Sequence, residues 1–85
     1  MKIIFTKPFV RDYRNLPSNI QRLVDRQIER LIENPKHPSL QTKKIEGHKS
    51  ILEARVTLQY RVTFQIAGDT YILRRVGTHS VLKRP

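Results

Sequence analysis

Residues 52–66 read LEARVTLQYRVTFQI, from Leu52 to Ile66. Apolar or small side chains fall at Leu52, Ala54, Val56, Leu58, Tyr60, Val62, Phe64 and Ile66, and polar ones at every position between. A repeat of two belongs to the β-strand, whose side chains point alternately to opposite faces. One face of this stretch therefore meets a core, and the other meets solvent. The stretch is far longer than the common strand of roughly five or six residues. It predicts two antiparallel strands joined by a hairpin turn near Thr57–Gln59. Ala67-Gly68-Asp69 predicts a second turn, and residues 70–77 a further strand ending at Gly77.

The first half of the chain has a different period. Lys2-Ile3-Ile4-Phe5-Thr6 reads as a short strand. Pro8 suits the first turn of a helix, where its missing N–H would have no partner anyway. Phe9, Tyr13 and Leu16 are spaced for a helix over residues 8–15. Leu16-Pro17-Ser18 breaks it, with Ser18 as candidate N-cap of a second helix. Ile20, Leu23, Val24, Ile28, Leu31 and Ile32 mark one face of that helix at intervals of three and four. Its outer face carries Gln21, Arg22, Asp25, Arg26, Glu29, Arg30 and Glu33, where pairs such as Glu29 with Arg26 can form. Asn34-Pro35 ends it. Residues 34–50 read as a polar, basic loop with Lys36, Lys43, Lys44 and Lys49. The expected fold class is α+β: an N-terminal strand and an antiparallel helix hairpin packed on a mainly antiparallel sheet of three or four strands. One domain, residues 1–85, is expected from the length.

Composition narrows the function. Cysteine is absent, which excludes a disulfide framework, thiolate catalysis and Cys-ligated zinc. Ile3, Ile4 and Phe5 are too short an apolar run for a signal peptide, and no later stretch could span a bilayer. The cytoplasm is the expected location, without membrane association. Seventeen Lys and Arg against seven Asp and Glu give a formal charge of +10, which predicts attraction to nucleic acid, ribosomes or an acidic protein. A solvated basic surface with no specific ligand is the plain alternative.

The polar face of the alternating stretch carries Glu53, Arg55 and Arg61. Arginine forks suit phosphate oxygens. Cross-strand pairing of Glu53 with Arg61 or Arg55 explains the same residues, worth at most about 1 kcal/mol. On the period of two, Arg75, Gly77 and His79 share a side. If that side is the polar one, His79 approaches Arg55 and Arg61. Histidine titrates near neutrality, and a proton donor beside cations that stabilise phosphate charge is a workable ribonuclease site. A strand-end histidine bonded to a main-chain carbonyl remains the alternative. His37 and His48 read as solvated loop residues. Three scattered histidines without i,i+4 or Cys partners do not make a metal site, so no metal and no cofactor are expected.

Four local patterns carry a resemblance: Asn34-Pro35-x-His37-Pro38-Ser39-Leu40, Lys44-Ile45-Glu46-Gly47, Glu53-x-Arg55-Val56 with Tyr60-Arg61-Val62, and Val76-Gly77-Thr78-His79-Ser80-x-Leu82. With the element order they make the whole chain resemble the RelE/ParE toxin superfamily. The last pattern is similar to the C-terminal element of YafQ-type toxins, whose histidine is catalytic. The resemblance implies a type II toxin, a metal-independent endoribonuclease that cleaves mRNA on the 70S ribosome and is neutralised by a cognate antitoxin. Operator DNA would be bound only through the toxin–antitoxin complex.

Carried over by position, His79 takes the proton-transferring role, and Arg61 matches a phosphate-binding arginine. Glu53 and Arg55 stand where RelE has two lysines. Glu53 is then either the base for the 2′-hydroxyl or an ion-pair partner. Lys43, Lys44, Arg75 and Lys83 are expected to contact RNA. A late tyrosine found in RelE is missing, as are a further histidine and aspartate of YafQ-type members. Two other readings keep the fold: a ParE-like inhibitor of DNA gyrase, and a basic ribosome- or RNA-binding module without chemistry.

Overall fold

The alternating stretch folds as a hairpin. In the computed structural model, which describes residues 2–85, strand β3 (Leu52–Arg55) runs antiparallel to β4 (Tyr60–Ala67), with Glu53 opposite Thr63 and Arg55 opposite Arg61. Strand β1 is Lys2–Phe5, helix α1 Lys7–Arg14, helix α2 Ser18–Glu33, β2 Lys43–Lys44 and β5 Thr70–Thr78. Short 3-10 turns occupy Pro38–Leu40 and His79–Leu82. The α+β class is as the sequence implies, but five strands replace the expected three or four, in the order β1-β5-β4-β3-β2. The additional strand is β2. It lies in the stretch read as loop and pairs Lys43 with Glu53 and Lys44 with Leu52. That stretch is not wholly polar in its packing either: Leu40 and Ile45 are buried.

β1 runs parallel to β5, with Lys2 opposite Thr70 and Phe5 opposite Leu73. β5 continues beyond it, and α1 packs against β5. Thr6 begins α1: its hydroxyl oxygen accepts from the Phe9 N–H at 3.3 Å and its O–H donates to the Leu73 carbonyl at 2.8 Å. The N-terminal strand, the helix cap and β5 are thereby locked together. The register slips between Thr63 and Phe64, which face Arg75 and Leu73, so Arg74 is the extra residue of a β-bulge. The Val76 N–H donates to Asp12 of α1 at 3.2 Å, so the helix supplies a side-chain acceptor to a strand that β1 no longer accompanies.

The core joins Phe9 of α1, Val24 and Leu31 of α2, Leu40, and Ala54, Val62, Phe64, Tyr71, Leu73 and Val76 of the sheet. The even-numbered face of β3 and β4 is thus the inner one, apart from two positions. Leu58 sits at the hairpin tip, 76% exposed, and Ile66 is exposed near the far end of β4. Ser18 does not cap α2. Pro17 holds the N-cap position without a side-chain bond, and Ser18 is already helical. The ion pairs expected along the outer face of α2 do not form among the described residues. Asp25 instead accepts from the Tyr13 hydroxyl at 2.7 Å and ties the two helices together.

Gln27 is a buried polar residue on the inner face of α2, 7% exposed. Its amide donates to the Arg55 carbonyl at 2.6 Å and to the Ser39 carbonyl at 3.3 Å, fixing α2 to the end of β3. Gln27→Leu should leave those carbonyls without a donor and cost about 1–3 kcal/mol. In urea denaturation the midpoint should fall with the slope unchanged.

Candidate active site

β3 ends at Arg55, β4 begins at Tyr60 and β5 ends at Thr78, so one end of the sheet gathers the chemistry-bearing residues. Arg55, Arg61 and Gly77 lie side by side across three strands, and Tyr60 stands opposite Thr78. His79 follows as the first residue of the C-terminal 3-10 turn. It is exposed and makes no side-chain hydrogen bond among the described residues. The alternative of a histidine bonded to a main-chain carbonyl therefore does not hold. Next to it the Thr78 and Ser80 hydroxyls lie 3.1 Å apart.

Glu53 and Arg61 share a face as the alternation requires, but that face is covered here rather than open. Glu53 is 7% exposed and Arg61 5%. Arg61 Nε lies 3.5 Å from Glu53 Oε1. Arg61 Nη1 donates to the carbonyls of Thr57, Leu58 and Tyr60 at 2.6, 3.0 and 3.0 Å. Three carbonyls converging on one guanidinium fold the β3–β4 turn around it. Glu53 is thus ion-paired in this structure. Arg61 braces the turn and does not turn its fork to solvent, so the open face expected for it is closed in this structure.

The chain after β5 turns back against β4 and β5. Val81 is buried, and a Cβ at Gly77 would stand 2.8 Å from Val81 Cγ1. A glycine at position 77 lets the 3-10 turn lie directly on the strand, beside Arg61. Arg55 differs from its neighbours. It is half-exposed at the strand end, and its Nε is buried without an acceptor among the described residues, a donor left over from internal bonding.

The expected RNA-contacting residues do not form one patch. Lys43 and Lys44 are exposed on the edge strand β2, three strand spacings from β5, about 14 Å across the sheet. Arg75 is drawn to α1, where its Nε lies 2.6 Å and its Nη2 3.2 Å from the Asp12 carboxylate oxygens. That hydrogen bond holds the Arg75 pKa above its ordinary value. Lys83 is exposed after the 3-10 turn. His37 begins the turn at Pro38–Leu40, its Nδ1 accepting from the Ser39 N–H at 3.1 Å, and His48 is half-buried in its loop. No group of three His, Cys, Asp or Glu among the described residues could hold a metal ion.

The chain is a toxin of the RelE/ParE class. The family model for the ParE toxin of the type II toxin–antitoxin system parDE matches residues 3–82, and the chain belongs to that family. A curated relative, Toxin RelE3 of Methanocaldococcus jannaschii, is 35% identical over 82 residues, covering 89% of this chain and 88% of its own. The RelB-RelE antitoxin-toxin complex from Methanococcus jannaschii matches with a TM-score of 0.71 and 29% identity, over 95% of each chain. YafQ from E. coli strain BL21(DE3) shares the fold with a TM-score of 0.80 at 16% identity, over 95% of this chain and 96% of its own. Among the described residues no helix is long and apolar enough to cross a membrane.

Proposed function

We propose that this toxin is an mRNA endonuclease acting on the ribosome. The observation that carries the reading is His79: exposed, without a hydrogen-bonding partner among the described residues, at the sheet end that also carries Arg55. The RNA 2′-hydroxyl attacks its own phosphorus, a 2′,3′-cyclic phosphate forms, and the bond to the 5′-oxygen breaks. His79 donates the proton that the leaving 5′-oxygen takes up. Arg55 offers its N–H groups to the charge that builds on the phosphoryl oxygens. The 2′-hydroxyl proton passes to water, because Glu53 is held by Arg61. Lys43, Lys44 and Lys83 add attraction for the RNA backbone, and the ribosome supplies the alignment of nucleophile and leaving group.

A cognate antitoxin completes this reading. It is supported by the family and by the relative of known structure solved as an antitoxin–toxin complex. A toxin of charge +10 favours an acidic, partly disordered segment that folds on binding, and operator DNA is reached through that complex. The cytoplasm is where mRNA and ribosomes would be met. Mapping mRNA ends by primer extension in a reconstituted translation reaction tests the nuclease. Discrete new ends that appear only with ribosomes are expected. Unimpaired translation without new ends would remove the reading.

A second reading, a ParE-like gyrase inhibitor without nuclease activity, is favoured by the family match and by the burial of Glu53 and Arg61. It predicts inhibition in a gyrase supercoiling assay and no cleaved RNA.

A further inference from the structure

Beyond the sheet end, a cleft of about 390 Å³ opens between the start of α1 and the tail after the 3-10 turn, lined by Thr6, Arg11, Arg74, Arg75, Arg84 and Pro85 among others. Four arginines meet there. The acidic side chain that meets this group, Asp12, is engaged by Arg75 and by the Val76 N–H. Arg11 and Arg84 are exposed, and their side chains have no hydrogen-bond or ion-pair partner among the described residues. The bulge that makes Arg74 the extra residue of β5 also turns it into this cleft. Its Nη1 is fixed by Gln65 Oε1 at 2.8 Å, while its Nε and Nη2 reach the Pro85 main-chain oxygen only at 3.4 Å each. Two of the four guanidinium groups lining the cleft, those of Arg11 and Arg84, thus have no partner among the described residues. Such an arrangement repels itself until an anion enters, and arginine forks match phosphate oxygens.

We propose that this cleft binds a phosphate of the RNA backbone outside the cleavage position. Arg75 and His79 lie on one run of chain, four residues apart, which is about 13 Å in an extended strand. A single RNA strand passing His79 therefore reaches the cleft without leaving the protein surface. The choice of RNA as the polyanion rests on the nuclease reading. Binding is for that reason measured with 2′-O-methyl RNA, which lacks the nucleophile, so loss of this site and absence of catalysis are read separately.

The experiment is fluorescence anisotropy of a labelled single-stranded 2′-O-methyl RNA across a salt series. Wild type is compared with Arg11→Gln/Arg84→Gln and with a control of equal charge change, Lys36→Gln/Lys49→Gln. Both pairs are exposed, and thermal melting by circular dichroism confirms folding. The arginine variant should bind about tenfold more weakly and lose roughly 1.4 from its log–log salt slope, two phosphate contacts' worth for a single strand. The lysine control should lose clearly less. Equal losses in the two variants would assign the effect to net charge and overturn the site. Absence of binding by wild type at low salt would overturn it too. Unchanged RNA affinity with weakened binding of a poly-glutamate peptide would give the cleft to an acidic protein segment instead.

Discussion

Arg61→Ala should lower the unfolding free energy by about 3–5 kcal/mol, the range for breaking a buried ion pair from one side. Removing the guanidinium leaves the Glu53 carboxylate buried without its partner, and it frees the three carbonyls that hold the β3–β4 turn. Small domains are stable by about 5–15 kcal/mol, so the variant should lie near the edge of folding. Urea denaturation reads this directly. Glu53→Leu/Arg61→Met should recover much of the loss, because apolar replacement of both partners removes the stranded charge. If Arg61→Ala instead melts like wild type and loses only RNA affinity, Arg61 is a phosphate ligand and not a brace.

His79→Ala should do the reverse. The side chain is exposed and touches no hydrogen-bond partner among the described residues, so the melting temperature should stay within a degree or two of wild type, as for most surface substitutions. Ribosome-dependent cleavage should fall by about a hundredfold or more, the usual contribution of a positioned proton donor and equivalent to about 2.7 kcal/mol of barrier. Equal cleavage by wild type and variant would take His79 out of the mechanism and leave Arg55 and the lysines. The two variants separate the sheet end into a part that holds the turn and a part that faces the substrate.

The inner face of the hairpin was legible because Ala54, Val62 and Phe64 repeat at the spacing a pleated strand imposes. α2 was legible because Val24 and Leu31 repeat at the spacing of a helix. The burial of Arg61 was not. An arginine at an outward strand position looks the same in sequence whether solvent or a returning chain lies above it. The turn that returns against β4 and β5 leaves one trace in the sequence, the glycine at position 77 against which Val81 packs. The bulge at Arg74 lacked any glycine or proline to announce it. Strand β2 is two residues long, shorter than any periodicity can reveal. Asp12 gave a faint signal, a lone acid in the basic first helix, but its partners in β5 are more than sixty residues away.

The pairing of β1 with β5 bears on how the toxin comes to exist at all. Lys2 finds its sheet partner at Thr70 and Phe5 finds its own at Leu73, so the first strand has no neighbour until nearly the whole chain has been synthesised. Closing so long a loop is slow compared with local contacts. A nascent chain on its ribosome is therefore an open precursor, with Ile4 and Phe5 waiting for a strand still inside the exit tunnel. Translation halted before residue 73 releases a polypeptide that cannot complete its sheet.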